Sequence, residues 1–75
     1  MDIRTYACTS TQLATLTSTL AGHGLVVDLT KDGEVVRGKW DVAWSVASGS
    51  ITLTMKSHPF AAAGIFWSKV SEALS

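Results

Sequence analysis

The chain has 75 residues, six basic and six acidic, and a hydrophobic fraction of 47%. That length holds a single domain, spanning 1–75, near the lower limit for a core that folds without staples. The apolar content excludes a disordered chain. A net charge of zero supplies neither the basic footprint of a nucleic-acid binder nor an acidic solvating tail.

Charge is also unevenly placed, with no Lys, Arg, Asp or Glu between Arg4 and Asp28. A small domain with so little net charge tends to associate. Cys8 is the lone cysteine, so no disulfide forms, which fits a reducing compartment. No basic, then apolar leader opens the chain. No apolar run reaches the roughly 18 residues of a membrane span. These features predict a cytoplasmic protein with no membrane partner.

Residues 2–8 alternate, with Ile3, Thr5 and Ala7 against Arg4, Tyr6 and Cys8, which predicts a short strand. Thr9 and Gln12 have the spacing of a capping box. Leu13, Leu16 and Leu20 then form one stripe of a short helix that Gly22 or Gly24 stops. Its outer face carries Thr11, Thr15, Ser18 and Thr19. These are poor helix formers without ion pairs, so packing must hold the helix.

Leu25, Val27 and Leu29 alternate with Val26, Asp28 and Thr30, predicting a second strand, and Lys31-Asp32-Gly33 a tight turn. Val36, Gly38, Trp40, Val42, Trp44 and Val46 share one parity, predicting one long strand bent or bulged at Gly38. Ala47-Ser48-Gly49-Ser50 turns the chain into a last strand carrying Ile51, Leu53 and Met55. Pro59, capped by Ser57 or His58, starts a helix. Phe60, Ala63, Phe66, Trp67, Val70, Ala73 and Leu74 lie on its apolar side, with Ile65, Lys69 and Glu72 opposite. The order β-α-β-β-β-α predicts an α+β two-layer domain: a three- to four-stranded antiparallel sheet with two helices on one face.

The run Val36-Arg37-Gly38-Lys39-Trp40-Asp41-Val42, then Ile51-Thr52-Leu53, Pro59-Phe60 and a final helix, resembles small bacterial proteins linked to polyhydroxyalkanoate granules. The resemblance spans about half the chain, lies mostly in core positions and implies no site residue.

No chemistry-bearing constellation stands out. Cys8, His23, His58, Asp28, Asp32 and Glu34 offer no ligand spacing for a metal, and the three acids lack the alternation of a calcium loop. Cys8 precedes a helix start, which can activate a thiol, but a buried strand cysteine is the simpler reading. His23 reads as a helix-end residue and His58 as an exposed or capping one. Gly22-His23-Gly24 follows a helix, whereas a dinucleotide loop follows a strand. Neither catalytic residues nor a cofactor is expected. Arg37, Lys39 and Lys56 are expected on the open sheet face with Thr52 and Thr54. Asp41 interrupts them and no aromatic interleaves for base stacking, so nucleic acid is not expected as a partner.

Low charge and exposed uncharged surface point instead to a non-enzymatic protein-binding module. It would act as a homodimer, or as an adaptor or inhibitor of a larger bacterial or phage protein. Its binding residues would be Thr15, Ser18, Thr19, Ile65, Arg37 and Lys39. Trp40, Trp44 and Trp67 read as core. In the alternative they line a pocket between sheet and helices for a small apolar ligand.

Overall fold

Six elements follow the chain in a computed structural model that describes Met1–Ser75: β1 (Asp2–Ala7), α1 (Ser10–Gly22), β2 (Gly33–Arg37), β3 (Trp40–Ala47), β4 (Ser50–Ser57) and α2 (Ala63–Ala73). The strands form one antiparallel sheet in the order β1-β4-β3-β2. β2, β3 and β4 make a meander. α1 carries the chain across so that β1 pairs with β4. Both helices pack on one face, giving the expected two-layer α+β architecture.

Local chemistry explains how α1 starts and stops. The Gln12 backbone N–H donates to Thr9 Oγ1 (3.2 Å), and the Thr9 N–H donates to Gln12 Oε1 (2.8 Å), completing the capping box. At the other end Gly24 adopts a φ of 81°. Its N–H donates to the Ala21 carbonyl, and the Leu25 N–H to the Leu20 carbonyl. These are the two bonds of a Schellman motif, with buried Leu20 and Leu25 as its apolar contact.

The structure corrects three boundaries. Residues 25–30 keep the alternating burial of a strand but join no sheet. The long period-2 run is a hairpin, not one bent strand. Gly38, with a φ of 59°, and Lys39 form a two-residue turn, and Arg37 pairs with Trp40. Glycine at the first central position suits such a turn. A two-residue turn also reverses the parity of facing positions: Val35 pairs with Val42, and Val36 with Asp41. Val36 is therefore exposed, at 68%. Finally, α2 begins at Ala63 rather than at Pro59. The Ala62 N–H donates to the Pro59 carbonyl, and Ala61 has a φ of 63°. That tight turn lifts Phe60 off the apolar face of the helix and leaves it 96% exposed.

All fifteen buried residues are apolar. The sheet contributes Val42, Trp44, Ile51, Leu53 and Met55. α1 adds Leu16 and Leu20, α2 adds Phe66, Trp67 and Val70, and the extended segment adds Leu25, Val27 and Leu29. α2 covers β1 through polar edges. Trp67 Nε1 donates to Asp2 Oδ2 (3.3 Å), the Arg4 guanidinium lies 4.6 Å from the Trp67 ring centroid, and Tyr6 Oη meets Ser71 Oγ at 3.5 Å. Gln12 Nε2 donates to the Leu74 carbonyl (3.2 Å), tying the start of α1 to the end of α2.

Candidate functional site

Three of the α1 hydroxyls are turned back onto their own helix. Thr15 Oγ1 donates to the Thr11 carbonyl (3.2 Å), Thr17 Oγ1 to Leu13 (2.9 Å) and Thr19 Oγ1 to Thr15 (2.9 Å). Such back-bonding satisfies the hydroxyl, so these side chains offer little further donation and their methyl groups make up much of the exposed surface. Thr15 and Thr19 border a shallow groove of about 360 Å³, opposite Lys69 and Glu72 of α2. Ser18 is exposed nearby on α1. Ile65 stands one turn before Lys69 and is 60% exposed.

The other two residues expected at the binding surface lie elsewhere, on the β2–β3 hairpin. Arg37 does not face the open side of the sheet, as expected from one continuous strand. The parity reversal at Gly38 puts it with Val35 on the helix side, where its Nε lies 3.5 Å from the position a Gly24 Cβ would occupy. Lys39 is in the turn, and its carbonyl accepts a bond from Ser57 Oγ (2.7 Å). The six residues therefore divide between the helix layer and the hairpin.

The face of the sheet away from the helices carries Ile3, Thr5 and Ala7 of β1, Ser50, Thr52 and Thr54 of β4, and Ala43, Ser45 and Ala47 of β3. Thr5 and Thr52 share a hydroxyl–hydroxyl bond of 2.9 Å. Its charges gather at one corner. Lys56 Nζ donates to Glu34 Oε2 at 3.1 Å. Asp41 lies beside them, where the β3–β4 register shifts. A hydrogen bond with Glu34, and then burial, raise the Asp41 carboxyl above its ordinary value. Glu34 is lowered by that same bond, then by Lys56. Asp41 Oδ1 is out of water without a partner.

A second groove, of about 600 Å³, runs between α1 and the extended segment. Ser10, Leu13, Ala14 and Thr17 form one wall, residues 27–30 the other, and Val46 contributes from β3. Asp28 is the one charged residue in its lining. Its Oδ1 accepts the Thr30 N–H (3.0 Å) and Thr30 Oγ1 (2.6 Å). These bonds, side chain first, hold the carboxyl below its ordinary range, with a smaller contribution from Lys31. The Asp28 carbonyl accepts from Trp44 Nε1 (3.0 Å), which also donates to Lys31 (2.8 Å). Sequence reasoning missed this groove, because a paired strand at 25–30 would have closed it. The one signal for it was the distance from Gly24 to Gly33, long for a tight connection.

The tryptophans line neither groove. Trp44 and Trp67 are buried. The Trp40 ring lies 5.5 Å from that of Phe66, tilted by 37°, and Phe66 meets Trp67 edge-on at 5.0 Å. Cys8 is buried, and its N–H donates to the Gly49 carbonyl. His58 Nδ1 lies 2.8 Å from the Pro59 carbonyl. No group of three His, Cys, Asp or Glu side chains is placed to hold a metal ion. No helix is long and apolar enough to cross a membrane. No protein family, curated protein or solved structure matches this chain.

Proposed function

We propose that the chain is a non-enzymatic protein-binding module, acting as a homodimer or as a small adaptor or inhibitor of a larger protein. The observation that carries this reading is the open sheet face: nine positions on β1, β4 and β3 without a charge. Interface centres are depleted of charge. Small side chains keep the surface flat, and exposed Ile3 and Val36 stand on the two edge strands. No aromatic side chain on this face offers a base a stacking surface, which favours protein over nucleic acid.

Four strands about 4.8 Å apart and about six residues long give roughly 400 Å² of face. A stable interface takes about 800 Å² per partner. The sheet face alone therefore supports a weak or transient complex. A tighter one needs a further surface, and Thr15, Ser18, Thr19 and Ile65 on the helix layer, beside the exposed Lys69 and Glu72, supply one. A carrier of a small apolar ligand is the second reading. What favours it is the α1 groove, with its leucine and valine lining, rather than a site at Trp40, Trp44 and Trp67.

Light scattering of the purified chain over rising concentration tests the proposal. Association should weaken in Ser45→Glu, at the centre of the open face, and persist in Ser75→Glu, at the exposed end of the chain. A strict monomer with no co-purifying protein refutes the module reading.

A further inference from the structure

The segment between α1 and β2 is a strand in its burial and not in its bonding. Leu25, Val27 and Leu29 are buried, while Val26, 78% exposed, alternates with Asp28 and Thr30 on the outside. Yet the N–H groups of Val26, Val27, Asp28 and Leu29 donate to nothing in the chain. In an extended chain successive N–H groups point to opposite edges, so each edge keeps unpaired donors. Residues 27–30 are also one wall of the 600 Å³ groove against α1. Unpaired backbone donors beside an apolar groove suit strand addition, with the Asp28 carbonyl already bonded to Trp44 Nε1 and residues 29–30 turning the chain. The main chain supplies affinity, and alternate side chains fill the groove.

We propose that an extended segment of a partner protein, apolar at alternate positions and carrying a lysine or arginine, adds as a strand along residues 26–29 and lies in the groove against α1. The apolar positions answer Leu13, Ala14 and Val46. The cation answers Asp28, whose Oδ1 is taken by Thr30 while Oδ2 has no partner in the chain. This deepens the protein-binding reading and rests on it, naming a second surface and the form of its ligand.

The test is a displayed library of random octapeptides selected on the full chain, followed by amide exchange on the chain with one enriched peptide. In the free chain the amides of Val26, Val27, Asp28 and Leu29 should exchange freely. The enriched peptides should show alternating apolar residues with a Lys or Arg. The synthetic peptide should slow exchange at two or more of these amides at least tenfold. Methylating alternate peptide nitrogens should cost at least tenfold in affinity. Ala14→Trp, which fills the groove from an exposed helix position, should do the same. Asp28→Asn, which leaves packing intact, should cost severalfold for the basic peptide and nothing for its norleucine analogue.

Failure to enrich any peptide overturns the proposal. So does a peptide that leaves residues 26–29 unprotected or binds Ala14→Trp equally well. Binding indifferent to methylation would assign the groove to a small apolar cation. Protection that grows with protein concentration alone would assign the edge to a second copy. Either result overturns it. Association through the open sheet face, measured by light scattering, would survive all of these, so failure here is distinct from failure of the module reading.

Discussion

Trp44→Ala tests the packing of the sheet most directly. Trp44 keeps 7% of its exposure, with its ring against Gly33. An aromatic side chain buries about 150–250 Å². At about 25 cal/mol per Å² that is roughly 4–6 kcal/mol relative to a ring in water. Alanine keeps the Cβ and the surroundings relax in part, so the expected loss is about 3–5 kcal/mol. A domain of this length holds about 4–11 kcal/mol in all, so the variant lies close to unfolding. Trp44→Phe separates packing from bonding. It keeps most of the ring and loses the indole N–H shared by the Asp28 and Lys31 carbonyls, a loss of about 0.5–1.5 kcal/mol. Lys39→Ala, in the exposed turn, should change stability by less than about 0.5 kcal/mol. Urea unfolding followed by far-ultraviolet dichroism measures all three, compared at equal m-values. Equal losses for Trp44→Ala and Lys39→Ala refute the assignment of the core face. A Phe variant as weak as the Ala variant refutes the packing argument.

Ala61→Gly should stabilise by about 0.5–1 kcal/mol in the same assay. The left-handed φ of 63° costs an alanine about 1–2 kcal/mol, and the extra freedom of glycine in the unfolded chain offsets part of that gain. A destabilised variant would mean that the turn holds no strain. Gly33→Ala should cost about 1–3 kcal/mol, because its Cβ would come 2.8 Å from Trp44 Cζ2. A neutral thermal melt would show that the ring yields freely. Asp41→Asn keeps a donor toward Glu34 at every pH. In the native chain Asp41 supplies such a donor only while its carboxyl is protonated. The raised Asp41 carboxyl stabilises the fold below its ordinary value of 3.8 and loses that contribution as pH rises through its higher folded value. Glu34, lowered from 4.5, works oppositely, contributing above that value, and does so in both chains. The melting-temperature advantage of Asp41→Asn should therefore be small near pH 3 and grow toward pH 7. A difference that is flat over that range contradicts the raised Asp41 carboxyl.

The helix signals were the most legible part of the chain. Thr9 and Gln12 announce the capping box, and Gly22 or Gly24 the helix end, because such signals are built from residues within a few positions of one another; the structure selects Gly24. The parity of Val42, Trp44 and Val46 was equally readable. The hairpin at Gly38 was not. A glycine in an alternating run suits a bulge as well as a turn, and only pairing with a neighbouring strand decides between them. The candidate binding residues followed the same division. The uncharged face of α1 was visible as composition. The side of the sheet that Arg37 occupies depended on the hairpin.

Local spacing thus set the capping box of α1, the inward stripe of each helix from Leu13 and from Ala63 onward, and the alternation of the sheet residues, since each depends on side chains a turn or a pleat apart. Tertiary structure alone decided that residues 25–30 lie against the core without a ladder partner. A strand needs a neighbour from elsewhere in the chain, and the one edge left on that side of the sheet belongs to β2. The zero net charge acquired its location in the same way. Packing against the helices covers one face of the sheet. The opposite face, whose charges are confined to the Glu34, Asp41 and Lys56 corner, and the open groove beside α1 are the surfaces left for a partner.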